Sequence, residues 1–467
     1  MKYGPPAVLV VAAAAAAWAE PPAPAAPVTA DPVAASSRRV VSLADALKLA
    51  SKNNHDYQAA LANAQMVQAQ TSRVYGALLP EIVASGSYVH TSAPAVFGFG
   101  GVLDLVQGSW PTTLGERTPL PAGALEPVEI IGRNSLYGTL QIQQLLFTPQ
   151  LFLLPAAKPG YAAAKLGASE AREQVLLGVS RLYLGLQGLQ QIEAAARDAE
   201  TVALKRERDV MGQVAAGTQG EIALLRAQTE TAQARGTLAQ LAGQREGLLA
   251  TLESLVGEPV RPEEQVTGLP NWQPSSENDR PWEQLYIVQA TRKGVEAQEY
   301  YITYDTLMFL PTIVAAAKGS YNSNKGFIGT NWWYDLSVGF SLPLYDRGVR
   351  YSQKHEDEAK LSAARSKLES ERAKARAGWL SAKANLQAAE VALAQAESQA
   401  ALATKAQKQL DAAFQLGLAT ALELSDIDNK RFFAASQVAQ VRAQLEVRKV
   451  EMLAAEGRLA RAAGLED

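Results

Sequence analysis

At 467 residues the chain exceeds most single domains. Its long stretches rich in Ala, Gln, Glu, Leu, Lys and Arg, with aromatics gathered in short ones, favour one elongated body. A net charge of -3 with both signs intermixed leaves no electrostatic footprint for nucleic acid. No cysteine is present, which excludes disulfides, thiol catalysis and thiolate metal sites, and His55, His90 and His355 lie too far apart to share ligand spacing, so neither metal nor cofactor is expected.

The chain begins as an export signal would, with Lys2, an apolar run from Ala7 to Ala17, and Ala17-Trp18-Ala19 ahead of Glu20. This predicts a signal peptide over 1–19, followed by a Pro/Ala-rich extended leader over 20–41. No later segment reaches the roughly 18 uninterrupted apolar residues of a membrane-spanning helix.

From residue 42 the chain repeats itself. "LPEIVASGSY" at 79–88 returns as "LPTIVAAAKGSY" at 310–321, "LYGTLQIQQLLF" at 136–147 is answered by "LSVGFSLPLY" at 336–345, and Gly217 by Gly417. Two structural repeats are therefore expected, 42–256 and 281–463, joined by a linker at 257–280 and closed by a short tail at 464–467.

Each repeat holds two segments with an alternation of period two, the pattern of a strand with unlike faces. In the first repeat these lie at 77–91, where Ile82, Ala84, Gly86 and Tyr88 oppose Glu81, Val83, Ser85 and Ser87, and at 135–147, where Leu136, Leu140 and Ile142 oppose Thr139, Gln141 and Gln143. In the second they lie at 311–322 and at 332–345, where Tyr334, Leu336, Val338, Phe340 and Leu342 oppose Asp335, Ser337, Gly339 and Ser341. Strands of about ten residues are long enough to cross a bilayer when tilted. Trp332, Trp333 and Tyr334 at one strand end read as an interfacial aromatic girdle. A Gly/Pro-rich loop at 92–134 links the first pair, and a much shorter one the second.

Heptads follow the strands. Leu361, Leu368, Ala375, Ala382, Ala389, Ala396, Ala403 and Leu410 form a stripe in the second repeat, and Val175, Leu182, Leu189, Ala196, Ala203 and Val210 in the first. Residues 349–414 as one helix would span roughly 100 Å. Returning helices carry the same period, so each pair should reverse at its glycine, Gly217 or Gly417.

Between strand and helix stands "LPLYDRG". Pro343 is expected within two residues of the last strand pairing. Asp346, Arg347 and Gly348 should form the junction, with the long helix under way by about residue 350 and unbroken to near 400. Four strands with a lipid-facing side leave unpaired edges, so copies must join: two would give eight strands and a filled interior, three would give twelve and a pore. The polar strand faces favour three.

These motifs in this order resemble the TolC-type outer-membrane efflux factor family: "SLADALKLASKNNHDYQAA", "LLPEIVASGSY", "LPLYDRG" before a long helix, the "G-x-A-T-x-x-E-L" turn, and the duplication, over 42 to about 463. The resemblance implies a mixed α and β membrane protein. It would be a homotrimer with a twelve-stranded β-barrel in the outer membrane of a Gram-negative bacterium, above a periplasmic coiled-coil tunnel. It also implies partners, a periplasmic adaptor touching the turns at Gly217 and Gly417 and an inner-membrane pump, in a tripartite efflux or type I secretion system.

The family's periplasmic gate acids map to Glu423 and Asp426, three apart on one helix face. The residues of a closing Arg–Asp latch map to Ala419 and Ala223, so that latch is absent in that form. His55 stands where the family often has proline, and "LLFTPQLFLLPAAKPG" lacks the Asp/Gly pair and carries Pro149, Pro155 and Pro159, which predicts an irregular helix start. No phosphate loop, nucleophile elbow or metal triad suggests an enzyme. The competing reading is a structural periplasmic coiled-coil spacer or tether without channel activity.

Overall fold

The computed structural model describes residues 38–76, 78–97, 128–266, 269, 274–325, 329–416 and 418–465. The expected signal peptide, most of the leader, most of the 92–134 loop and Gly417 lie outside the described residues.

Chain order gives β1 (Arg39–Val41), α1 (Leu43–Asn53), α2 (His55–Gly76), β2 (Glu81–His90), β3 (Ala95–Phe97), β4 (Val128–Ile131), β5 (Asn134–Phe147), α3 (Leu154–Ala215) and α4 (Glu221–Val256). It continues with β6 (Val260–Pro262), α5 (Tyr286–Leu307), β7 (Thr312–Asn322), β8 (Trp332–Ser341), α6 (Val349–Gln415), α7 (Ala421–Ala455) and α8 (Leu459–Ala462). Ser42 caps α1 by accepting the Asp45 N–H, and Asn54 Oδ1 accepts the N–H groups of Asp56 and Tyr57 to open α2. His55 therefore occupies the first helical position, where a proline would be tolerated because that N–H has no helical partner.

The two long helices are α3, with 62 residues, and α6, with 67. At ~1.5 Å per residue these are rods of roughly 90 and 100 Å. The start of α3 is irregular, as the prolines predict: a 3-10 turn over Pro149–Leu153, capped by Thr148, precedes it, and Pro159 sits inside its first turns. At its far end Gly217 takes φ +73°, the Gly217 N–H reaches the Val214 carbonyl, and the Thr218 N–H reaches the Gln213 carbonyl. That paired bonding stops a helix through one left-handed residue. The second repeat closes with the same long-range bond, Leu418 N–H to Ala413 O.

Four strands form one antiparallel sheet in the order β2-β5-β7-β8. The helices attached to them pack in the same lateral order, α2 on α3, α3 on α5, α5 on α6, while α4 and α7 return along α3 and α6. The sheet thus continues into a helical wall of matching sequence. The fourth strand ends at Ser341, earlier than the expected 345, because Pro343 has no N–H to pair.

Two features depart from the expected segmentation. Residues 39–41 of the supposed leader form β1, which pairs in parallel with β6 in the supposed linker. Around that pair gathers the main apolar core, with Leu43, Leu47, Leu176, Tyr183, Leu184, Leu252, Val256 and Leu459. Tyr183 is fully buried and donates its hydroxyl to the Val41 carbonyl. A second core joins Trp282 and Trp379, ring centroids 5.6 Å apart, to Leu386, Leu445 and Met452.

Candidate functional site

Two regions bear on function: the four-stranded wall and the helix-turn end. In the wall, register decides which side chains share a face. Ile82, Ile142, Ala317 and Leu336 lie in one row, followed by Ala84, Leu140, Gly319 and Tyr334, then Gly86, Gly138, Tyr321 and Trp332. All four apolar sets therefore lie on one side of the sheet. That side is open: Phe340 is 80% exposed, Leu336 75%, and Ile82 65%. The opposite side carries Ser85 against Thr139, Gln141 against Lys318, and Lys318 against Asp335. Ser85 and Thr139 hydroxyls lie 2.6 Å apart.

The pleat divides the three aromatics of the expected girdle between two faces, as period two already implies. Trp332 and Tyr334 stand on the apolar face, but Trp333 alternates to the polar face beside Ser320. The ring of Tyr321 joins Trp332 at 4.8 Å, an aromatic contact between strands that reading one strand at a time misses.

At the junction, Pro343 is two residues past Ser341, which pairs with Thr312. Arg347 and Gly348 take φ +60° and +85°, turning the chain from strand to helix. Asp346 holds the turn by accepting the Gly348 and Arg350 N–H groups, each at 3.1 Å, and Arg350 Nε at 2.7 Å. The Arg350 guanidinium, with these backbone donors, holds the Asp346 carboxyl below the usual range. Arg350 itself donates to the Pro343 carbonyl and lies over the Phe309 ring. Arg350 thus completes a junction that sequence reading assigned to its neighbours.

At the turn end, Thr420 and Glu423 form a capping box. Thr420 Oγ1 accepts the Glu423 N–H, and Glu423 Oε2 accepts the Thr420 N–H at 2.8 Å and hydroxyl at 2.9 Å. These donors, the backbone N–H first, lower the Glu423 pKa. Asp426 accepts from Lys430 at 2.6 Å one turn on, and its carboxyl remains exposed. Both gate candidates thus sit on one exposed helix start, each with a local partner.

Ala223 and Ala419 line a cleft of about 510 Å³ together with Arg206, Arg226, Glu230 and Thr420. The two repeats are tied beside it instead. Arg206 of α3 pairs with Asp428 of α7, both largely buried, Ser425 of α7 donates to Glu230 of α4, and Arg431 of α7 pairs with Asp198 of α3.

Residues 287–465 match the model of the outer membrane efflux protein family. No curated protein sequence matches the chain. Among solved structures, the Campylobacter jejuni CmeC outer membrane channel superposes with a TM-score of 0.74 at 16% identity, covering 89% of this chain and 86% of that one. The Vibrio cholerae outer membrane protein VceC gives 0.71 at 16%, covering 89% and 96%. The open state of the Neisseria gonorrhoeae MtrE outer membrane channel gives 0.70 at 17%, covering 89% and 88%. At such identities the likeness is one of fold.

Proposed function

We infer that this chain, which carries the outer membrane efflux protein pattern in its second half and the channel fold along nearly all of its described length, is an outer-membrane exit duct. One observation carries the reading: the register places the apolar residues of all four strands on a single, open face of the sheet. A soluble spacer would have no use for a wall with Phe340, Leu336, Tyr334 and Ile82 turned to solvent, whereas hydrocarbon accepts them.

Edges extend the inference. β2 and β8 each have a neighbour on one side only, and unpaired backbone groups are not tolerated in lipid. Three copies would close twelve strands with β8 of one copy beside β2 of the next, leaving a lumen lined by the Ser, Thr and Gln face. The helical walls would then meet as a periplasmic tunnel ending at the turns near Gly217 and Glu423. Substrate would pass without bond making or breaking, delivered by an inner-membrane pump through a periplasmic adaptor that touches those turns. Glu423 and Asp426 would ring the periplasmic mouth, six carboxylates around the axis, and favour cations.

Cell fractionation followed by planar-bilayer recording tests this. The protein should extract from outer membranes with detergent and give discrete cation-preferring conductance steps. A protein recovered wholly in the soluble periplasmic fraction and silent in bilayers would support the spacer instead.

A further inference from the structure

Asp305, near the end of α5, is fully buried, and neither of its carboxyl oxygens meets a donor. Facing it from the first turns of α6 is Asp357, only 3% exposed, with both oxygens engaged: Gln353 Nε2 donates to Oδ2 at 3.0 Å and Lys360 Nζ to Oδ1 at 2.9 Å. The two carboxyl groups are within hydrogen-bonding reach of each other. Both lie just below the sheet, since α5 leads into β7 and α6 follows the β8 junction.

Two carboxylates in contact inside a packed seam repel, and neither can donate. A proton placed between them converts the repulsion into a charge-assisted O–H to O⁻ bond and satisfies the orphaned Asp305. We propose that Asp305 and Asp357 share one proton, which fastens α5 to α6 beneath the sheet, so that the seam is tighter in acid than at neutral pH.

Surrounding charges agree with that assignment. Burial first, then the Asp357 and Glu358 charges, raise the Asp305 pKa to about 6, against the opposing pull of Lys354 and Lys360. Burial also disfavours ionised Asp357, but the Gln353 and Lys360 bonds outweigh it and hold that carboxyl ionised. On the other side of α5, a groove between α2, α3 and α5 is lined from α3 by Leu154, Ala156, Ala157 and Gly160, which bring no charge; Lys158 is exposed, and Arg73 of α2 lies across that groove. The 3-10 turn over Pro149–Leu153 has no titratable side chain.

The sign follows from the raised value. The folded chain holds a proton that the unfolded chain releases above about 3.8, so the contribution is full below that pH and is lost as pH rises through about 6.

Hydrogen exchange of the intact protein between pH 5 and 8, corrected for intrinsic rates, reads the seam in peptides covering the end of α5 and the start of α6. Wild type should lose about tenfold in protection from pH 5 upward, in a step that levels off past about pH 6. D305N should be flat, because its amide donates to Asp357 at every pH. D357N should move the step to lower pH, because the neighbouring charge is gone, and it carries the test if D305N fails to fold. His355 is exposed and pairs with Glu358 at 3.4 Å on the same stretch of α6, so H355Q is the control and must keep the step. A flat wild-type profile, a step surviving in D305N, an unmoved step in D357N or a step lost in H355Q would each overturn the shared proton.

Discussion

Glu423 serves two ends at the start of α7, as an acid at the turn and as half of a capping box with Thr420. Replacing it with alanine removes both together. Glutamine at this position still completes a capping box while removing the charge, so the pair E423Q and D426N isolates the electrostatic role. In planar bilayers this double variant should show several-fold weaker cation preference, with a thermal unfolding midpoint close to wild type. Unaltered ion preference would mean that these carboxylates do not face the conducting path. The residue types and the three-residue spacing were readable in the sequence. Their local partners were readable in part, since Lys430 lies one turn from Asp426, but the ties of Arg206 to Asp428 and of Asp198 to Arg431 were not. Pairing across more than two hundred residues depends on how two heptad helices are rotated against each other, which the heptad leaves open.

Among the elements, period two exposed the strands and period seven the long helices, because one face of each meets a different medium. Pro343 marked the end of β8 and the start of the turn into α6 for a backbone reason, its missing N–H. Three-residue β1 and β6 escaped, being too short for any period to register. So did the contact of α3 with α7 at Gly188, where an added Cβ would lie 2.5 Å from Ala443 Cβ. The heptad marks a seam but not the places where two backbones nearly touch. Gly188→Ala should force those helices apart and cost about 1–3 kcal/mol in thermal or denaturant unfolding. Gly212→Ala, on the same helix with open space around it, should instead be neutral or stabilise by up to about 1 kcal/mol. Equal effects of the two changes would mean that the close approach does not limit packing.

At the scale of the whole molecule, the four strands would make one third of a twelve-stranded wall; the two outer strands each have a neighbour on one side only, and the attached helices repeat the same lateral order. The proposed closure by further copies rests on the alternation, since an apolar strand face in lipid requires every edge to be paired. The number of copies follows less directly, from the need for a polar lumen wider than eight strands provide. Electron cryomicroscopy of the particle extracted from outer membranes tests this most directly. Three copies should surround a closed twelve-stranded barrel, with β8 of each hydrogen-bonded to β2 of the next and the row from Trp332 to Phe340 facing the lipid or detergent belt. Open sheet edges, or that apolar row turned into the lumen, would contradict it.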